Sequence, residues 1–387
     1  MSFFAQSVDW DFPVPIHYGP GRITELSSIC DYNGIRRPLI VTDRGSRELP
    51  FVSLVLKILD KAGFAVNVFS DISPNPIDKE IMMGKSVFEE GKHDAVIAIG
   101  GGSGMDGGKA ISLVSNNNYK LWDFDNDKAE VKDISIFPSL ICIPTTSGTG
   151  AETESTAMIT NTDLGMKLCV WHPNQKPVAA LLDPELTLDL PKNLTAWTGI
   201  DALVHAIESY CINSLHSVAD GMALEALNLI GNNLELAIKN PTDIQSRGAM
   251  LIGSCLAGIS FKKGLGLVHA ISHMVGAIYN TQHGLTNAIL LPAVLRFNKV
   301  EISHKIETLN YVTFSKPGDF DDFYNNICNL LDNLEILKGL EGIGVKKEKV
   351  LELAKKSSKD SAAKTNPRLA SVTELEDLII ESLSRAR

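Results

Sequence analysis

Apolar residues in the first half of the chain gather into short runs rich in β-branched side chains, at 39–42, 66–69, 95–99, 140–143 and 178–182. These runs are apolar throughout and do not alternate, which predicts strands buried on both faces. Between the early runs, 51–62 and 78–90 carry helical spacing. Strands of this kind separated by helices predict a parallel sheet covered on both sides. Beyond about residue 186 the pattern changes to helical periods at 195–210, 219–239, 246–261, 267–279 and 287–297, with further helices through 383. The expected organisation is an α/β domain over 1–186 and an all-helical domain over 187–387. The join is short, so a cleft between the domains is expected, and such clefts are where small ligands bind.

A chain of 387 residues suits two domains, and 44% apolar with 21% charged residues is ordinary globular composition. The net charge of −10 argues against nucleic acid or an anionic membrane as the main partner. Six scattered cysteines without a CxxC pair read as reduced, buried thiols. The first six residues lack the basic region and apolar core of a secretion signal, and no run approaches the roughly 20 apolar residues that span a bilayer. These features predict a soluble, cytoplasmic protein.

The candidate chemistry is concentrated in the second half. Of nine histidines, His269, His273 and His283 fall within fifteen positions. His269 and His273 are four apart and share one face of a helix. Gly284, beside His283, would permit a tight turn that folds a third imidazole toward them. Asp201 and His205 form a second i, i+4 pair. Imidazole is the commonest ligand for first-row divalent metals. Two helical pairs that supply a carboxylate and several imidazoles to one point predict a catalytic metal site.

The strand at 95–99 runs directly into Gly100-Gly101-Gly102-Ser103-Gly104, and Gly102, Gly104 and Gly107 satisfy G-x-G-x-x-G. Glycines there let a backbone approach a diphosphate while the N–H groups of the next helix face its charge. The chain lacks the spacing and the Lys-Ser/Thr ending of a nucleoside-triphosphate loop. Asp43, ending the 39–42 run, is placed either to hold the adenosine ribose hydroxyls, which favours NAD over NADP, or to cap a turn. A second polar loop, 144–152, supplies Thr145, Thr146 and Thr149. Two such loops on one Rossmann-like sheet favour a nucleotide.

Together, 100–106, 144–152, 199–205 and 264–284 resemble the iron-containing (group III) alcohol dehydrogenase family over nearly the full length. The resemblance implies a dehydroquinate-synthase-like fold, with NAD(H) and one divalent metal, Fe(II) or alternatively Zn(II), between the domains. It implies Asp201, His205, His269 and His283 as metal ligands and His273 as a free histidine that exchanges the proton. Asp43 matches the NAD-selecting position, and Asn75, Gly101, Gly102, Ser103 and Asp106 match contacts on the diphosphate side. Thr145, Thr146 and Thr149 match the second nucleotide loop, and Lys167 matches a lysine that reaches the nicotinamide ribose. The reaction implied is hydride transfer between nicotinamide and a small primary alcohol or aldehyde, with dimers common in the family.

One departure bears on the substrate. The lead-in Phe261-Lys262-Lys263-Gly264, with Lys364-Thr365-Asn366-Pro367, looks like the branch that holds 4-hydroxybutyrate dehydrogenases. Lys263 or Lys364 would then meet the carboxylate of an ω-hydroxy acid as a point charge, unless both are structural. Rival readings on this fold are a hydroxyacid–oxoacid transhydrogenase with tightly held NAD, and a dehydroquinate-synthase-like lyase.

Overall fold

The computed structural model describes residues 14–128 and 130–384, so the N-terminal segment read for targeting lies outside the described residues. The chain separates into two compact units. One comprises residues 14–146 with Gly150–Leu190; the other comprises Ser147–Thr149 with residues 191–384.

The first unit is built on strands β1 (Ile16–Tyr18), β2 (Pro38–Asp43), β3 (Asn67–Ile72), β4 (Ala95–Gly100) and β5 (Ser139–Pro144). It also holds the hairpin β6 (Thr156–Asn161) and β7 (Met166–Trp171), and β8 (Ala179–Leu182). Six strands form a parallel sheet in the order β1-β8-β5-β4-β2-β3. The unbroken apolar runs follow from this position. In β4, Val96 and Ala98 pack into one core with Ile81, Phe88 and Met105. Ala95, Ile97 and Ile99 pack into another with Leu26, Val55 and Leu59. Helices α1 (Leu26–Tyr32) and α2 (Pro50–Lys61) supply the second core, and α3 (Asp78–Glu90) and α4 (Gly102–Val114) the first.

Two features of this unit were not expected from the apolar runs. The short edge strand β1 adds parallel to β8. The antiparallel hairpin β6–β7 stands apart from the main sheet. In β6 one face, Ala157 and Ile159, is buried in the first core, and the hairpin's residues otherwise mix polar and apolar side chains. That is why no uniform apolar run marks it.

The second unit is helical: α5 (Lys192–Cys211), α6 (Ser217–Lys239), α7 (Ile244–Ser260), α8 (Leu267–Tyr279) and α9 (His283–Asn298). It continues with α10 (Ile306–Phe314), α11 (Phe320–Asn333), α12 (Val350–Ser357), α13 (Ser361–Thr365) and α14 (Val372–Leu383). Among the described residues no single helix is long and apolar enough to cross a membrane.

His283 does not sit in a glycine turn; it is the first residue of α9, and Gln282 caps that helix by accepting from the Leu285 N–H at 2.6 Å. The reversal is made by Asn280, which closes α8 in the left-handed region at φ 52°. Gly284 serves packing instead. A Cβ there would overlap the Trp197 carbonyl oxygen of α5 and come within 3.1 Å of the Asp201 Cβ. Its lack of a side chain brings α9 against the helix that carries Asp201 and His205.

Candidate metal centre and nucleotide loops

Three helices of the second unit converge on one point. Asp201 and His205 project from α5 one turn apart, His269 from the first turn of α8, and His283 from the first position of α9. One potential ligand atom from each lies within 4.8 Å of the others. Asp201 Oδ1 is 3.7 Å from His269 Nε2 and 3.6 Å from His283 Nε2. The His205 and His269 rings stack at 4.4 Å. Asp201, His205 and His269 are buried, while the His283 side chain keeps 20% exposure.

The donor set fits a divalent first-row cation: three imidazoles and one carboxylate. The separations of Asp201 Oδ1 from His269 and His283 Nε2, 3.7 and 3.6 Å, lie near the ~3.4 Å edge of a tetrahedron with bonds of about 2.1 Å. The four groups act strongly on one another's charge. Burial opposes charge on Asp201, but His205, His283 and His269 outweigh it and hold the carboxyl well below the usual range. Burial pushes His205 down to about 3, against the pull of Asp201. Burial also works against a charged His269, yet hydrogen bonds and charge from Asp201 and Glu208 lift it to about 9.

Behind the ligands stand residues that sequence reasoning missed. Glu208, one helical turn beyond His205, accepts from His269 Nδ1 at 2.7 Å. It also accepts the backbone N–H groups of Gly266 and Val268, each at 2.8 Å. The carboxylate therefore caps the start of α8 and fixes the His269 tautomer, turning Nε2 toward Asp201. Ser272 Oγ lies 2.8 Å from His283 Nδ1. Asn287 is buried on α9 with its amide nitrogen 2.6 Å from Asp201 Oδ1. Each carried one local signal, helical spacing from a ligand: Glu208 from His205, Ser272 from His269 and Asn287 from His283.

His273 lies beside this cluster. Its ring stacks on His283 at 5.4 Å, and its Nδ1 is 3.0 Å from Asp360 Oδ2. Asp360 also caps α13, accepting the Ala362 N–H at 2.8 Å. Lys364 is exposed on that same short helix. Lys263 is engaged elsewhere: its buried Nζ lies 2.5 Å from Asp220 Oδ1 and 3.5 Å from the Tyr210 carbonyl, at the end of α5. An ammonium held in this way braces the end of α5, the structural role that the sequence left open for Lys263.

In the first unit, the predicted nucleotide residues gather at the carboxyl ends of the parallel strands. Gly100 ends β4 at φ 137°, and a Cβ there would lie 3.2 Å from Asp43 Oδ2. Asp43 itself holds the turn after β2, accepting Ser46 N–H at 3.0 Å and Ser46 Oγ–H at 2.7 Å. Gly101 precedes α4 without a side-chain cap, so the first N–H groups at Gly102 and Ser103 are left to other acceptors. Asp106 follows within α4. Ser103 Oγ donates to the Pro74 carbonyl at 2.6 Å, which ties α4 to the loop that carries Asn75. Lys167 Nζ, on the hairpin, donates to Asn75 Oδ1 at 3.4 Å.

The Thr145 N–H bonds the Gly100 carbonyl at 2.9 Å, and Thr146 abuts Gly101. Thr149 belongs with the helical unit instead. There a Cβ at Gly148 would come within 2.7 Å of Thr198, and the Gly148 backbone favours a proton on His205. Two further residues brace the loops. Lys109, buried on α4, donates to the Ala151 carbonyl at 2.7 Å. Glu80 accepts the Ser73 and Ile77 N–H groups that flank Asn75.

Residues 13–184 match the iron-containing alcohol dehydrogenase family, and residues 195–383 match the C-terminal region described for the Fe-containing alcohol dehydrogenase family. The chain belongs to the iron-containing alcohol dehydrogenase family. It is 35% identical over 372 residues to the NAD-dependent methanol dehydrogenase of Bacillus methanolicus, covering 94% of this chain and 97% of the relative. It is 32% identical to the 4-hydroxybutyrate dehydrogenase of Cupriavidus necator, covering 95% and 98%. A crystal structure of 1,3-propanediol oxidoreductase superposes with a TM-score of 0.91 at 30% identity, over 98% of this chain and all of that one. The family's dehydroquinate-synthase-like fold is the one described above, and the chain is an oxidoreductase of this family.

Proposed function

We propose that the protein transfers hydride reversibly between NAD(H) and a small primary alcohol or aldehyde, at a metal centre formed by Asp201, His205, His269 and His283. The observation that carries this reading is the convergence of those four donor atoms within 4.8 Å in a chain of this family. A divalent cation held there, Fe(II) or Zn(II), supplies Lewis-acid stabilisation of negative charge on the substrate oxygen. The chain's own residues do the rest. Glu208 and Ser272 orient two imidazoles. His273, with Nδ1 committed to Asp360, has Nε2 to exchange a proton with the substrate or a ribose hydroxyl. Asp43 receives the adenosine ribose, and the uncapped start of α4 receives the diphosphate, with Asn75 and Lys167 beside it. An acid at Asp43 favours NAD over a 2′-phosphorylated cofactor.

An anionic substrate remains part of this reading through Lys364. It is exposed on α13, the helix whose capping Asp360 holds His273. The likeness to a 4-hydroxybutyrate dehydrogenase supports the same choice.

The experiment is a panel of C2–C5 alcohols, diols, ω-hydroxy acids and their aldehydes, run with NAD(H) and with Fe(II) or Zn(II) restored to chelator-treated protein. Turnover with added NAD(H) that disappears on metal removal is expected. Full turnover after complete metal removal would overturn the reading, and exchange between a hydroxy acid and an oxo acid without added NAD would replace it with a transhydrogenase. Within the panel, Lys364→Ala is expected to raise KM for succinate semialdehyde about tenfold while leaving neutral aldehydes unchanged, a loss of about 1.4 kcal/mol. An unchanged KM removes the lysine from substrate recognition.

A further inference from the structure

The metal ligands account for Asp201, His205, His269 and His283, and Glu208 and Ser272 stand behind two of them, but Asn287 has no part in that assignment. It is fully buried on α9, one helical turn beyond His283. A primary amide in such surroundings is unfavourable unless its polar groups are met. Only one end of this amide is met. Its Nδ2 lies 2.6 Å from Asp201 Oδ1 and 3.2 Å from Nε2 of both His269 and His283. Its Oδ1 is buried with no hydrogen-bond partner. An amide serving only to staple two helices would use both ends; this one is committed to the ligand atoms.

We propose that Asn287 is a positioning residue of the metal centre, holding the Asp201 carboxylate in the orientation that binds the cation. The inference rests on the metal-centre reading above. Lone pairs decide which of these bonds coexists with a cation. Each imidazole Nε2 has a single lone pair, and a bound cation takes it, removing both histidines as acceptors for the amide. A carboxylate oxygen has a second lone pair. The bond from Asn287 to Asp201 Oδ1 is therefore the one that coexists with a cation, and it stops the carboxylate from rotating. A neutral amide also adds no negative charge. The protein ligands then carry a single formal charge from Asp201, so a divalent ion keeps more of its electron-withdrawing power than it would beside two carboxylates.

The test uses the full-length protein, stripped by chelator and titrated with Co(II), with affinity read by competition against a chromophoric chelator and geometry read from the cobalt d–d absorption. Asn287→Ala and the near-isosteric Asn287→Leu are expected to bind Co(II) roughly 10–100-fold more weakly, with an altered d–d band. The leucine variant keeps the volume filled if the alanine variant fails to fold. Affinity within twofold of wild type and an unchanged band in the leucine variant would overturn the proposal, even if the metal-free protein melts at a lower temperature. Wild-type protein that takes up no Co(II) would overturn the metal-centre reading as well.

Discussion

At the scale of single residues, the proposed metal cluster is held by groups outside its four ligands. Glu208 accepts three hydrogen bonds, from one imidazole and two backbone N–H groups at the start of α8. Glutamine there is nearly the same shape, but its amide nitrogen must face a donor. Glu208→Gln is expected to destabilise the metal-free protein by about 1–3 kcal/mol, the cost of a buried donor left unpaired. It is also expected to weaken metal binding roughly 10–100-fold, because His269 loses its orienting partner. Thermal denaturation with and without Zn(II) reads both effects, and a variant whose metal-induced stabilisation equals wild type would remove Glu208 from the centre. The i, i+4 pairs were legible in the sequence because a helix turns distance four into contact. The partners Glu208–His269, Asp360–His273 and Asn287–Asp201 are 61, 87 and 86 residues apart, and no local period encodes them.

At the scale of elements, close approach of α5 and α9 assembles the cluster. Gly284 permits that approach, since a Cβ would overlap the Trp197 carbonyl. Gly284→Ala is expected to push α9 away from α5, costing about 1–3 kcal/mol by overpacking and releasing the metal, because His283 and Asp201 lie on the two separated helices. Unaltered melting and metal content would show that the helices adjust without parting. The carboxyl end of α5 is braced in another way. Lys305 Nζ donates to the carbonyls of Tyr210 at 2.6 Å and Ile212 at 3.0 Å, while Lys263 pairs with Asp220 beside them. Cations suit a helix C-terminus, where carbonyls lack intrahelical partners. The sequence could not separate this role of Lys263 from substrate recognition, since both call for a lysine beside the same loop.

At the scale of the whole molecule, burial governs the cysteines: Cys142 lies in one core of the sheet, Cys30 in the other, and Cys211 inside the helical unit. Burial pushes the thiols of Cys30, Cys142 and Cys211 up to about 12. The thiolate is the reactive form, so these three are expected to resist a disulfide reagent at pH 8 in the folded protein and to react on unfolding. Cys169 is the one cysteine with intermediate exposure and is expected to react first. Rapid native labelling of Cys142 would contradict the packing of β5 beneath α4.

The sequence by itself determined the parallel sheet and the helical second half, and it set Asp201 with His205 on one helical face. Unbroken apolar runs are required of a strand covered twice, and helical spacing sets residues four apart on one face. The tertiary structure alone decided which distant carboxylate or amide stands behind each ligand, and that Gly284 serves packing and not a turn. Those choices depend on which helices touch, and contact between helices is fixed by shape in three dimensions, which no one-dimensional period records.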